Sequence, residues 1–581
     1  MASTLIFSTI LIPWAGALIV WLVGDKHPRV QHTLAVITSV LAGAAALALI
    51  PYQTEKVTLS LPIGGAFGNF TFVPDGLGLL LACVATVVGS LAVIFSVNYM
   101  HGEAQLGRYY SMVLFFIGAM VGLVLSSNIL LMFVFWEITA VCSYVLISFY
   151  NENPKAVAGG IKALIITQLG GVGLLGLAAL SYAYLGTYDI HEFIAGVGNI
   201  PANILAIAAF GALIAAAAKS SLFPFQTWLP DAMEAPTPIS ALIHAATMVN
   251  AGIYLVARLF PAFSGVPGWT TAVVCVGAIS ALLAGVMALV AMDLKRVLAY
   301  STVSQLGYMM YAMGVGGIFA GSFHLFSHAI FKALLFLAAG SVIHSVGTRE
   351  LAKMGGLGKK MPLVRAVFVI GSLALAGLPI LNGFWSKEMI LEAGLAEGPM
   401  WAWIIMLFTA GLTAAYTFRC VYLVFYGEPR EELHVHPAGT AMKISLVTLA
   451  AASFVSWLLV GPLSKMMTET LPMHGLHELS LAELFHEILS LPTLIALLVI
   501  AAGLIAWWQR ARLRPLAGFF RWVSVPARNS FGFEHINQFI VAVTKGAAQA
   551  LRATQTGMLA WNVVGIILGL AAILAIITAG A

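Results

Sequence analysis

Charge is scarce in this chain: 9% of its 581 residues are Asp, Glu, Lys or Arg, while 61% are hydrophobic. That balance excludes a soluble protein. Cysteine is as thin, with only Cys83, Cys142, Cys275 and Cys420. Each stands alone in an apolar segment and no Cys-x-x-Cys pair occurs, which argues against a disulfide framework and against iron–sulfur ligation. No glycine-rich loop follows a strand, so neither a nucleotide nor a redox cofactor is expected in this chain, and no metal site either. The period-two alternation of barrel strands is missing, which leaves a helix bundle as the only way to satisfy the backbone in lipid. The start, Met1-Ala2-Ser3-Thr4-Leu5, lacks the basic n-region of a signal peptide, so the first span is expected to be retained.

What remains are apolar runs near or above the roughly 20 residues that cross a hydrocarbon core as helix. They begin near residues 3, 31, 75, 112, 128, 161, 203, 240, 270, 296, 317, 363, 402, 443, 491 and 557. The expected fold is an all-α polytopic membrane protein of about 16 transmembrane helices with no soluble domain attached. The basic residues sort by loop. Lys26, Arg29, Arg108, Lys155, Lys162, Lys295, Arg296, the Arg349 to Arg365 cluster, Arg430, Lys443 and the Arg510 to Arg552 run fall on one side. Only Lys56, Arg258 and Lys465 fall on the other, with the acidic Glu478 to Glu487 stretch. The positive-inside rule then places both termini outside and requires an even helix count. The net charge of +5 follows from this topology and calls for no nucleic-acid partner.

Two apolar segments are interrupted by proline: Lys219-Ser220-Ser221-Leu222-Phe223-Pro224-Phe225, and Gly377-Leu378-Pro379 through Ser386-Lys387. Proline removes a helix donor and clashes with the preceding turn, so each should be a broken helix. Counted as helices 7 and 12, they lie five apart, which is the mark of an internal repeat, often inverted, with the ion site at the break. The expected organisation is N-terminal helices over 1–110, repeats over 111–262 and 263–427, and two further helices over 428–508. A basic segment with a short amphipathic lateral helix follows over 509–556, then a final span over 557–581. In that lateral segment Phe533, Ile536, Ile540, Val543 and Leu551 share one face. It reads either as a helix lying at the interface or as a brace along a neighbouring subunit.

The charges inside the apolar runs carry the functional reading. Lys219, Lys332, Lys387 and Arg419 are the basic residues in such positions, and Glu137 is the equally deep carboxylate. A charge near the bilayer centre costs roughly 3 kcal/mol even on a lenient scale, so it is usually kept for a job. His324, His328 and Lys332 are spaced four apart, a ladder about 12 Å long on one helical face. Histidine accepts and donates near neutral pH, and desolvation loosens a lysine's proton, so the ladder suits a proton relay. Helix–helix hydrogen bonding in the core is the plainer alternative. Glu137 and Lys219 can form a buried pair, since a nearby carboxylate favours a lysine's charged form. Glu388 points to a different face from Lys387, so no pairing between them is implied, and Arg419 is expected nearer an interface or on a carbonyl.

The run from Trp228 to Met248 (WLPDAMEAPTPISALIHAATM) resembles the signature of the antiporter-like subunits of respiratory complex I. So do Asp293 to Arg296, Ser304 to Gly307, His324 to Lys332 and Phe384 to Glu388; the resemblance covers about residues 75–430 and is most similar to the L-type member. It implies that Glu137 and Lys219 are a coupling pair, Lys332 the central relay, Lys387 the outlet lysine and His244 a residue on the path. It also implies a prokaryotic cytoplasmic membrane, other membrane subunits (including further antiporter-like ones) as partners, and electron transfer to quinone in those partners. Gln168-Leu169-Gly170-Gly171 departs from the pattern, standing where L-type members carry an Arg and an Asp. The lateral segment, about 36 Å if helical, is short for the type. Mrp-type cation/proton antiporters, ion-pumping membrane-bound hydrogenases and inorganic-carbon uptake complexes share the core motifs, and a non-conducting scaffold is a further alternative. A scaffold has no reason to bear the desolvation of the Lys/His ladder.

Overall fold

The computed structural model describes the chain except residues 56–57, 65–68, 430–434, 488–489, 518–520, 555–567 and 569–581. The described residues contain thirteen helices long and apolar enough to cross a membrane, from Ala2–Val23 to Leu491–Trp508. Polar residues keep Leu294–Gly314 out of that set although it is 21 residues long. Gly377 breaks the next expected span into Pro362–Ala376 and Asn382–Glu397. The final span expected from 557 lies outside the described residues, as do Lys56 and Arg430.

Helix starts and stops follow local chemistry. Asp75, Asn128, Asn153, Asp293 and Ser490 each accept a backbone N–H of the first turn, satisfying a donor that has no partner within its own helix. Gly186, Gly347 and Gly377 end helices in the left-handed conformation. A small antiparallel hairpin, Leu59–Pro62 with Asn69–Phe72, was not anticipated from the sequence. Phe72 bridges Ser126, and Asn128 bridges Asp189, so the hairpin is stitched to loops on the same side of the bundle.

Both proline-marked segments are broken helices. Ala202–Lys219 stops at Lys219, and irregular backbone with Ser221 at φ 53° leads to the short Trp228–Asp231 helix. Pro362–Ala376 stops at Gly377, Ile380 takes φ 82°, and a new helix starts at Asn382. A third irregularity lies in the span from Thr237 to Phe263. Its α-helix loosens to a π-turn over Leu242–Ala246, with Thr247 far from helical geometry. Extra turns of this kind widen the ladder locally and cluster at functional sites.

The chain divides into two units, Met1–Arg528 and Asn529–Ala581. In the second, Phe533–Thr554 is a 22-residue helix. Its residues Ile536, Phe539, Val543 and Leu551 stay exposed.

Candidate functional site: a buried line of lysines and histidines

Lys219, His244, His324, His328, Lys332 and Lys387 are all buried to 1% exposure or less. The helices explain why. Ile318–Val346 is enclosed on nearly every face, so His324, His328 and Lys332, one turn apart, cannot reach solvent. The Lys332 ammonium donates to the Ser301 hydroxyl at 2.5 Å and faces the Leu298 carbonyl at 3.4 Å, both on Leu294–Gly314. His324 bonds Gln305 at 3.1 Å through Nε2 and Ser386 at 2.9 Å through Nδ1. Ser386 is the neighbour of Lys387, so one imidazole bridges the ladder to the second broken helix. The His324 and His328 ring centres are 6.4 Å apart.

Each broken helix positions its lysine differently. Lys219 is the last residue before its break. Its ammonium donates to the Trp136 carbonyl at 2.7 Å and sits 5.0 Å from the Trp136 ring centre, a cation–π placement that partly replaces lost hydration. Lys387 lies in the second turn after its break and donates to the Leu375 carbonyl at 2.8 Å. That carbonyl belongs to the last turn of the preceding half-helix, where carbonyls lack intrahelical donors. Lys387 also lies 5.5 Å from the Tyr308 ring centre. No direct Glu137–Lys219 contact forms, a correction to the expected pair. The half-buried Glu137 takes a side-chain hydrogen bond from Gln168, while its Oε1 has no protein partner. At Lys219 the ammonium instead turns to the Trp136 carbonyl and ring. The two charges remain within electrostatic reach.

Between these fixed points lies unspent hydrogen-bonding capacity. Both ring nitrogens of His244 and of His328, and Gln305 Nε2, Ser327 Oγ, Asn250 Oδ1 and Asn382 Oδ1 are buried without a protein partner. Buried polar atoms are normally satisfied, so each of these groups has capacity for a further hydrogen bond. His244 sits on the π-turn, 4.6 Å centre to centre from the Phe336 ring. From Lys219 the neighbouring polar groups lead toward it: Ser220 donates to the Val249 carbonyl and Asn250 to the Ala245 carbonyl.

Several charged residues were misjudged from sequence. Lys295 and Lys162, assigned to loops, are buried, as is Arg258. Lys295 donates to the Ala235 carbonyl at 2.5 Å. Lys162 and Arg296 both hold Asp231, at 2.8 and 3.0 Å. Arg258 makes a bidentate pair with Asp75, at 2.5 and 2.9 Å. Its place midway along the apolar run Asn250–Phe263 was the available signal. Arg419 meets the Met292 sulfur at 2.7 Å rather than a carbonyl, and its Nη1 has no partner. Glu388 bonds Thr493 and not Lys387, as its helix face implied. Among the described residues no cluster of His, Cys, Asp or Glu is placed to hold a metal.

Residues 126–413 match the family model described as NADH:quinone oxidoreductase/Mrp antiporter, TM, and residues 61–110 match that of NADH-Ubiquinone oxidoreductase (complex I), chain 5 N-terminus. The NADH-quinone oxidoreductase subunit L of Escherichia coli (strain K12) is 44% identical over 418 residues, covering 70% of this chain and 67% of the relative. The F(420)H(2) dehydrogenase subunit L of Methanosarcina mazei is 40% identical over 481 residues, covering 76% and 71%. Among solved structures, the Mrp complex from Dietzia sp. DQ12-45-1b superposes with TM-score 0.84 at 27% identity, over 99% of this chain and 63% of that one. The archaeal membrane-bound sulfane sulfur reductase superposes with TM-score 0.72 at 26% identity, over 84% of this chain and 100% of that one.

Proposed function

Because this chain belongs to the family of antiporter-like membrane subunits shared by NADH:quinone oxidoreductases and Mrp antiporters, we propose that it moves protons along its buried lysine–histidine line. Electron transfer takes place in partner subunits of a respiratory assembly, and this chain converts their signal into proton movement. Lys219 and Glu137 receive the signal, His244 and Lys332 relay, His328 and His324 extend the relay, and Lys387 delivers the proton outward. The assembly sits in a prokaryotic cytoplasmic membrane with both termini of this chain outside. Residues 111–262 and 263–427 act as inverted repeats, each contributing one broken helix.

The observation that carries this reading is the link from the helix of Lys332 to that of Lys387 through His324 and Ser386. The two lysines stand on different helices, and His324, two turns before Lys332 on its own helix, bonds Ser386, the residue before Lys387. Desolvating so many titratable groups for packing alone is hard to justify when apolar side chains of similar volume would pack without that penalty. A cation/proton antiporter driven by an existing gradient is the second reading, favoured by the near-complete superposition on the Mrp complex chain.

The assembled complex in sealed vesicles, driven by its electron donor, separates these readings from scaffolding. Lys332→Ala should preserve assembly on a native gel and abolish dye-detected proton movement. Full proton movement in the assembled variant would contradict the relay. Co-purifying subunits decide between the two transport readings: nicotinamide- or iron–sulfur-bearing partners favour the pump, and only small membrane proteins favour the antiporter.

A further inference from the structure

On the side of the basic loops, a cavity of about 660 Å³ opens between the end of the Trp269–Val290 helix, the start of Leu294–Gly314 and the short Arg521–Arg528 helix. Its apolar lining comes from Met287, Val290, Met292 and Ala527. Its rim carries Lys155, Arg296, Arg349 and Arg528, together with Glu234, Asp293 and Glu350.

The carboxylates on the rim are already engaged. Arg349 holds Glu234 at 2.5 Å and Asp293 at 2.7 Å, and Lys353 lies 3.3 Å from Glu350. Arg296 is shared with Asp231 but stays 42% exposed at its side chain. Lys155 and Arg528 are exposed, and neither side chain makes an ion pair among the described residues. The cavity lining therefore includes two unpaired cations from distant parts of the chain, together with apolar side chains. Arg521–Arg528 is strongly amphipathic, with Ala527 buried and Trp522 and Val525 exposed, as in a helix lying in the interface. Basic pockets at the ends of membrane helices on the side of the positive loops recognise anionic headgroups, each cation adding Coulomb attraction at the surface.

We propose that this cavity binds an anionic phospholipid, with the phosphate held by Lys155 and Arg528 and the first acyl methylenes on Met287, Val290 and Met292. The bound lipid ties the short Arg521–Arg528 helix, which leads toward the lateral segment, to the helices that carry Asp293 and Lys295. A phosphate group alone supplies the same charge, but it leaves the apolar lining in water, and that contrast separates the two sources.

The test uses the whole delipidated assembly and phosphatidylglycerol carrying a photoreactive group near its glycerol. Wild type should crosslink within 287–292 or 525–528, and phosphatidylcholine of the same build should not. The double variant Lys155→Gln/Arg528→Gln should weaken this labelling about thirtyfold, the scale for losing two basic contacts at a membrane surface. Lys155→Arg/Arg528→Lys should retain it, and Arg521→Gln, outside the cavity, should be neutral. Millimolar inorganic phosphate should not compete. Equal labelling by phosphatidylcholine, competition by inorganic phosphate, or no crosslink in the wild-type stretches overturns the proposal, as does undiminished labelling in the Gln double variant.

Discussion

At the residue scale, the informative comparison is between charge and contact. Glu137 and Lys219 do not touch, and Trp136 fixes the lysine's position, so an action of the carboxylate on the lysine would run through its field. Glu137→Gln is expected to slow turnover-linked proton uptake across pH with the assembly intact. Glu137→Asp, which keeps the charge and retracts it by one methylene, should retain part of the activity. Uptake assays on both variants check this, and equal rates for Gln and Glu at every pH would make the carboxylate structural. The glycine at 171 belongs to the same site: a Cβ there would lie 2.5 Å from Glu137 Oε1. The departure at Gln168 to Gly171 thus has a local meaning, since Gln168 donates to the carboxylate and Gly171 leaves it room.

His474 gives a residue-scale prediction outside the membrane spans. Burial, reinforced by the nearby Arg258 cation, lowers its pKa from 6.5 to about 4, while its Nε2 lies 3.1 Å from the Ala257 carbonyl. The folded state therefore binds this proton less readily than the unfolded chain. Stability from this group is fully present above the unfolded value and is lost as pH falls through the window from 6.5 to 4, by at most about 3 kcal/mol. Thermal denaturation of the assembly across that window should show a steeper acid loss in wild type than in His474→Gln. Parallel curves for the two proteins would contradict it.

At the element scale, the broken helices were the most legible feature and the hairpin the least. Proline after Lys219 and before Lys387 marks both breaks, since it removes a helix donor and clashes with the preceding turn, although Pro13 and Pro261 stand inside continuous helices. Some span starts were legible, because long apolar runs admit one reading in lipid: the helices at Asp75–Gly76, Asn128–Ile129 and Leu491 begin within a residue or two of expectation, whereas those expected near 112 and 161 begin earlier, at Leu106 and Pro154. The π-turn around His244 was not legible, since nothing in Leu242–Ala246 differs in composition from an ordinary helix. Likewise, the unpaired state of Glu137 and the burial of Lys295 depend on packing between helices distant in sequence. Helix periodicity assigns a face but does not name its neighbour.

The second break depends on a close backbone approach. A Cβ at Gly383 would lie 1.9 Å from the Ala374 carbonyl oxygen, which is main chain and has little freedom to yield. Gly383→Ala is therefore expected to push the two half-helices apart and destabilise the chain by about 1–3 kcal/mol or more. Loss of assembled complex on a native gel, with heat stability of the remainder, measures it. Gly176→Ala, where a Cβ meets nothing within 4 Å, is the matched control and should assemble normally.

At the scale of the whole molecule, the chain is a multi-pass membrane protein whose buried charges are gathered on a few helices. The polar line runs through two helices buried over most of their length, Leu294–Gly314 and Ile318–Val346. Its two end lysines stand beside helix breaks: Lys387 is held by the Leu375 carbonyl at the end of a half-helix, and Lys219 by the Trp136 carbonyl of a neighbouring helix. This division explains how one chain meets two demands: apolar faces outside satisfy the bilayer, and hydrogen-bonding capacity inside serves the transported ion.

The central claim is that Lys387 delivers the proton at the end of that line. It is tested most directly by the proton-to-electron ratio of the assembled complex in sealed vesicles, with electron transfer and vesicle acidification recorded together. Lys387→Ala removes the ammonium that holds the Leu375 carbonyl but leaves the His324–Ser386 link in place. The account predicts an assembled complex in which this chain's share of the ratio is lost. An unchanged ratio in the assembled variant would contradict it.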